Sequence, residues 1–224
     1  MAVFIVIPAH NEEQTVGEVV SGLRRELPSA VVLVVDDVST DDTARCAARA
    51  GARVLCLPLR LGYWGALQTG LLYAWRQGGE VFVTMDADGQ HLPEEVGRLL
   101  EPVARGQAEV AVGACPARAG AAKKVAWSFF RWLTGLPVRD LTSGFRAYGP
   151  RAVELLTAED LLVFDNADLA SLLLLHRAGL TISEVPVKMH TRRQGTSKLF
   201  SSPRQILHYL LVSMVLSLSK RKIS

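Results

Sequence analysis

Val31-Val32-Leu33-Val34-Val35-Asp36-Asp37 sets five apolar residues in a row and then stops on two carboxylates. A strand with water on one face alternates apolar and polar residues. An unbroken apolar run is the pattern of a strand covered on both faces, as in a parallel sheet. Outward from this stretch the pattern repeats. Val3–Ile7 is an apolar run closed by Pro8, and Glu80–Met85 reads as another buried strand ending in acids. Helical spacing fills the gaps: Val16, Val19, Val20, Leu23 and Leu27 across Glu12–Glu26, then an Ala-rich helix to about Ala50 closed by Gly51. Ser39 and Thr40 are the N-cap candidates for that second helix. Arg53–Leu57 reads as a short strand, Gly65–Gln77 as a helix, Pro93 to about Ala104 as a helix, and Glu109–Val112 as a strand. Later come a leucine-rich helix over Phe164–Gly179 and a strand over Ile182–Val187. This alternation with short connections predicts an α/β fold: a mainly parallel sheet with helices on both faces. With 224 residues, 49% of them hydrophobic, the chain can fill a core, and a disordered chain is excluded. No repeat or long linker divides it. One domain is expected over 1–200, followed by an amphipathic basic helix over 201–224 that Pro203 opens.

Ligands of such sheets bind beyond the carboxyl ends of the strands. Three strand ends carry polar residues there: Pro8-Ala9-His10-Asn11-Glu12, Asp36-Asp37 and Asp86-Ala87-Asp88. Helix capping accounts for Asp41 and Asp42 but not for four carboxylates on one rim, which repel unless a cation or hydrogen-bond donors meet them. On extended chain, Asp86 and Asp88 point to the same side and can face one divalent cation, with Gln90 as a further oxygen. Mg²⁺ is commonly held by one or two carboxylates plus substrate phosphates, so the arrangement suits a nucleoside diphosphate.

The net charge of +3 hides an asymmetry. Val185–Ser224 holds eight Lys or Arg and no acid, so residues 1–184 carry −5. Val110–Arg139 is also free of acids; it carries Arg118, Lys123, Lys124, Arg131 and Arg139 among the aromatics Trp127, Phe129, Phe130 and Trp132. Basic stretches of this kind suggest a polyanion, either nucleic acid or an anionic membrane surface. The acidic body and the absence of a nucleic-acid motif argue against the former. Cationic amphipathic segments rest at bilayer interfaces, and the final helix ends in Lys220-Arg221-Lys222. Its apolar stretch, Ile206–Leu218, falls short of the roughly 20 residues a bilayer span needs. The N-terminus reads as a strand and not a signal peptide, so a cytoplasmic protein bound peripherally to the cytoplasmic face is expected. Cys46, Cys56 and Cys115 show neither metal-ligand spacing nor a disulfide framework and read as small core residues in a reducing compartment. His91, His176, His190 and His208 show no metal-ligand spacing, and no Gly-Lys-Ser/Thr follows Gly62-x-x-Gly65 to make a Walker loop.

Taken in order, the three strand ends, Gly62-x-x-Gly65-Ala66, Asp140-Leu-Thr-Ser-Gly-Phe-Arg146, Glu184-Val-Pro-Val and Arg192-x-x-Gly195-x-Ser197-Lys198-Leu199 resemble the family 2 glycosyltransferases over about residues 3–200. The last three look like its polyprenyl-phosphate (dolichyl-phosphate mannosyltransferase-like) branch. The resemblance implies the GT-A fold, Mg²⁺ or Mn²⁺ as cofactor, a GDP- or UDP-hexose donor and a polyprenyl phosphate acceptor. It assigns Pro8, His10 and Glu12, with Asp36 or Asp37, to the base and ribose. Asp86, Ala87, Asp88 and Gln90 take the metal and diphosphate, and Arg192 and Lys198 close over the diphosphate, where a guanidinium fits phosphate oxygens in bidentate fashion. Arg118 falls on the donor side as well, and Arg118, Arg131, Arg139 and Lys198 take the acceptor phosphate. Asp86, Asp88, Arg192 and Lys198 form the catalytic set.

The sequence departs from the family at Val38, where Gly is usual, so a left-handed turn is not expected there. It departs also at Ala114-Cys115, in place of Ser/Thr-Arg, and at Leu61, in place of Asn. The implied reaction is an inverting displacement at the anomeric carbon. A phosphate acceptor is already ionised and needs no base. A hydroxyl acceptor would need a carboxylate, with Asp140, Asp165 and Asp168 as candidates. A non-catalytic, receiver-like nucleotide-binding module is the rival class, and it leaves the acid-free aromatic half unexplained.

Overall fold

The computed structural model describes residues 1–116, 120–158, 167–190 and 214–215. Its strands are β1 (Val3–Ala9), β2 (Val31–Asp36), β3 (Arg53–Cys56), β4 (Val81–Thr84), β5 (Val110–Ala114), β6 (Arg146–Tyr148) and β7 (Ile182–Pro186). They form one sheet in the order β3-β2-β1-β4-β6-β5-β7. β6 pairs antiparallel with β4 and β5, and every other pairing is parallel. The expectation of a mainly parallel α/β sheet holds.

The apolar runs follow from coverage on both faces. Phe4, Val6, Leu33, Val35 and Phe82 point into one core. Their neighbours Ile5, Ile7, Val32, Val34, Val81 and Val83 point into the other. Successive residues of a strand face opposite ways, so two cores require an apolar residue at every position. Helices α1 (Val16–Glu26), α2 (Thr43–Arg49) and α4 (Val96–Ala104) cover the second core. Helices α3 (Gly62–Arg76), α5 (Ala121–Thr134), α6 (Pro150–Leu156) and α7 (Ala167–Arg177) cover the first. Gly70 allows α3 to lie against β1, since a Cβ there would stand 2.4 Å from the Val6 side chain.

Several local expectations change. Helix α2 starts at Thr43 with Asp42 as its N-cap, because Ser39 and Thr40 are engaged with Asn11. Helix α3 starts at Gly62, three residues before the predicted start. Pro93 opens a 3-10 turn over Pro93–Glu95 that leads into α4. Cys46 is half-buried against the second core, Cys115 is half-buried and Cys56 is exposed on the edge strand β3, so the core reading holds in part for Cys46 and fails for Cys56. Val38 adopts φ 57°, the left-handed conformation not expected of it. The surrounding hydrogen bonds hold it there, as described below. The predicted 201–224 helix lies outside the described residues except for Met214 and Val215.

Candidate active site

β2, β1 and β4 are parallel neighbours, so their carboxyl ends open on one rim. The loops after β1 and β2 are bonded to each other. Asp37 N–H donates to Ala9 O at 2.9 Å, and Asn11 N–H to Ser39 Oγ at 3.0 Å. Thr40 N–H donates to Asn11 Oδ1 at 2.8 Å, and Glu12 N–H to Thr43 Oγ1 at 2.8 Å. His10 Nδ1 donates to Asp37 O at 2.8 Å; a carbonyl only accepts, so Nδ1 carries the proton. Asn11 (φ 56°) and Val38 (φ 57°) both sit in the left-handed region within this network. Asn tolerates that region; a β-branched residue there is strained by about 1–3 kcal/mol.

The two acids after β2 have different surroundings. Both Asp37 oxygens accept amide protons from the start of α3, Leu61 N–H at 2.7 Å and Gly62 N–H at 2.9 Å. These contacts run through backbone amides, so Leu61 serves them in place of the family's Asn. Asp36 is 7% exposed; its Oδ2 accepts Ser39 N–H at 3.4 Å, while Oδ1 is enclosed with no hydrogen-bond partner.

Around Asp86 the chain brings together Tyr63 and His91, to which the motifs assigned no role, and the Ser143-Gly144-Phe145 turn of a motif quoted above. Tyr63, the second residue of α3, donates its hydroxyl to Asp86 Oδ1 at 2.9 Å. Asp86 N–H donates to His91 Nδ1 at 3.1 Å, which leaves the ring proton on Nε2, 3.8 Å from Asp86 Oδ2. His91 is buried and stacks on Phe145. Because β6 runs antiparallel, the turn before it, Ser143-Gly144-Phe145, arrives at the carboxyl end of β4, where Thr84 Oγ1 donates to Gly144 O at 2.7 Å. A Cβ at Gly144 would lie 2.7 Å from the Tyr63 hydroxyl and 3.3 Å from Asp86 Oδ1. Asp88 accepts Gln90 N–H at 3.0 Å and the Gln90 side-chain amide. Gln90 O accepts His190 N–H at 2.8 Å, which ties the root of the predicted basic loop to this turn.

Arg146 is buried; it donates to Ser143 O at 2.7 Å, Ser171 Oγ at 2.8 Å and Asp168 O at 2.9 Å. Burial opposes its charge, but Tyr148, Asp168 and Tyr63 outweigh that and hold its pKa above the ordinary value. Tyr63 is partly exposed as a residue, but its hydroxyl is turned inward onto Asp86, and enclosure there, with the charges of Asp86 and Asp168, holds its pKa above the phenol range. Asp140 Oδ1 accepts Thr142 N–H and its hydroxyl, committing it to its own turn. Arg139 is exposed, with Nε 3.8 Å from Glu184. Arg131 is half-buried, its Nε enclosed without a partner. Arg118, Asp165, Arg192 and Lys198 lie outside the described residues, so the structure does not bring them to the rim or remove them from it.

The rim offers hard oxygen donors in Asp86 and Asp88, and His91 has its Nδ1 spent on the backbone. Among the described residues no three of His, Cys, Asp and Glu converge as a ready cage. Two carboxylates with coordination positions left for phosphate and water fit Mg²⁺ or Mn²⁺ and would not suit a closed Zn²⁺ site.

The sheet is that of a GT-A glycosyltransferase. The glycosyl transferase family 2 pattern matches residues 4–151, and the chain belongs to that family. It is 31% identical to the polyprenol monophosphomannose synthase of Mycolicibacterium smegmatis, covering 88% of this chain and 81% of that protein. It is 33% identical to the undecaprenyl-phosphate mannosyltransferase of Micrococcus luteus, covering 89% and 88%. In fold it is similar to glucosyl-3-phosphoglycerate synthase of Mycobacterium tuberculosis, solved with Mn²⁺, UDP and phosphoglyceric acid: TM-score 0.73, 24% identity, 95% of this chain and 78% of that one.

Proposed function

We propose that this glycosyltransferase moves a hexose, of mannose or glucose type, from a GDP- or UDP-sugar to a polyprenyl phosphate with inversion. The observation that carries the acceptor is the near full-length likeness to two proteins named for mannosyl transfer to that lipid class. The rim supports the donor side. Asp36 Oδ1 is a buried acceptor without a protein partner, a costly state that a base or ribose donor would relieve. Asp37 acts through the α3 amides that it holds. Pro8, His10 and Glu12 complete the base and ribose side.

Asp86 and Asp88, with Gln90 beside them, would hold the cation and the diphosphate. When bound, a divalent cation there supplies neutralisation of the charge that grows on the departing nucleoside diphosphate. The chain itself orients the donor and keeps Asp86 fixed between Tyr63 and His91. An acceptor phosphate brings its own negative oxygen, so no residue needs to remove a proton. Arg131 is proposed for that side from the family resemblance; its Nε is enclosed without a protein partner. Arg118, Arg139, Arg192 and Lys198 are proposed to share the phosphates.

Approach to a membrane is part of this reading. On α5, Val125, Phe129 and Trp132 are exposed at helical spacing, Trp132 at 79%, beside the cation Lys124. Such a face suits the interface of an anionic bilayer. Among the described residues no helix is long and apolar enough to cross a membrane. The proposed organisation is a catalytic domain over 1–200 and an amphipathic basic helix over 201–224, acting at the cytoplasmic face.

A panel of GDP- and UDP-hexoses with Mg²⁺ or Mn²⁺ and a short polyprenyl phosphate tests the assignment. An acid-labile glycolipid from one donor is expected. Transfer to hydroxyl acceptors alone would overturn it.

A further inference from the structure

The start of α3 delivers one hydroxyl to one carboxylate oxygen. Asp37 takes the amides of Leu61 and Gly62 at 2.7 and 2.9 Å, and Gly62 turns through φ 75° into the helix. Tyr63 follows directly, and its hydroxyl reaches Asp86 Oδ1 at 2.9 Å. On the opposite side Gly144 makes room for the pair, with its carbonyl pinned by Thr84. Tyr63 is 42% exposed as a residue, so packing alone gives little reason for an aromatic residue here. Its hydroxyl accounts for the placement.

We propose that Tyr63 is a positioning residue for Asp86: it holds Oδ1 so that the carboxylate is oriented for a divalent cation before the cation arrives. The inference rests on the reading of Asp86 as a cation ligand. With Oδ1 held by the Tyr63 hydroxyl and the backbone amide held by His91, the carboxylate has neither its rotation nor its position free. Partners of this kind, one bond removed from the ion, typically alter metal affinity by about 10–100-fold when lost. An ordinary phenylalanine would fill the same space and supply none of this.

The test is calorimetric titration of Mn²⁺ into the full chain with GDP or UDP present, for wild type, Tyr63→Phe and Gly144→Ala. Tyr63→Phe should bind Mn²⁺ about tenfold more weakly, with its unfolding midpoint in urea unchanged. Half-activation by Mn²⁺ should rise by the same factor while turnover at saturating Mn²⁺ is largely retained. Gly144→Ala, which drives a methyl between the hydroxyl and Asp86, should weaken Mn²⁺ similarly. It should add little in the Tyr63→Phe background. Equal Mn²⁺ affinity of wild type and Tyr63→Phe overturns the inference while leaving Asp86 as ligand. Absence of Mn²⁺ binding by wild type with either nucleotide overturns the ligand reading, and this inference with it.

Discussion

His91 lies flat on Phe145, their ring centroids 4.9 Å apart and their planes 14° from parallel. The contact joins the turn after β4 to the first residue before β6, and His91 Nδ1 in turn accepts the Asp86 amide. Phe145 is fully buried, so Phe145→Ala should cost about 3–5 kcal/mol in urea unfolding. His91→Leu keeps bulk but orphans the Asp86 amide, costing about 1–3 kcal/mol. Its turnover should fall more than its stability alone explains, measured well below the unfolding midpoint.

Asp88 is embraced by the Gln90 amide and side chain and stands two residues from Asp86. Asp88→Asn preserves shape and removes charge. Turnover should be abolished with the fold intact by circular dichroism, and retained activity would remove Asp88 from the cation site.

Val38 has the opposite profile: strain without evident burial, at 39% exposure. Val38→Gly relieves the left-handed backbone but loosens the unfolded chain, and the two effects partly offset. A net gain of about 1 kcal/mol is expected, read as a higher urea midpoint. A loss would mean that the strain is not stored there.

Acid should erode stability through identifiable carboxylates. Burial disfavours the charge of Asp41, but the hydroxyl and amide of Thr43 and the Glu13 amide outweigh it and hold the pKa below the ordinary value. For Glu109, burial is likewise outweighed by the Thr181 amide and Arg151, and the pKa is lowered. A depressed carboxylate stabilises the fold at pH values above its unfolded pKa of roughly 4 and loses that contribution as pH falls through the lower folded value. Unfolding free energy against pH should therefore fall less steeply below about pH 4 for Asp41→Asn and Glu109→Gln than for wild type.

On α5, Phe129 and Trp132 are in ring contact at 6.2 Å, and Trp132 is among the most exposed residues described. Wild type should float with anionic liposomes at low salt. Trp132→Ala should reduce that fraction without changing the urea midpoint. Absence of flotation in wild type would count against the membrane reading.

The sheet was readable because two-sided burial leaves a mark at every residue, as in Val32–Val35. The rim was readable because strand ends fall in order, and Asp86 and Asp88 announce themselves by spacing. What escaped depends on contacts between distant segments. Tyr63 was hidden because the helix was expected to begin at Gly65; its real start is set by Asp37, 24 residues before Leu61. Nothing local to His91 tells of Phe145. Val38 was misjudged because intrinsic preference was weighed without the bonds from Asp36, Ala9 and Asn11 that close the loop around it. Tertiary hydrogen bonds overrode propensity.

The reversed direction of β6 has a consequence for how such an enzyme can diversify. β1, β2 and β4 all leave the sheet at the rim, whereas β6 enters it there. The chain that reaches Gly144 therefore comes from α5, by way of residues 135–143, and not from β1, β2 or β4. Changes of length or chemistry in that stretch can reshape the surroundings of Gly144 and Asp86 while the registers of β1, β2 and β4 stay as they are. One antiparallel strand thus lets two separate stretches of chain wall the same rim.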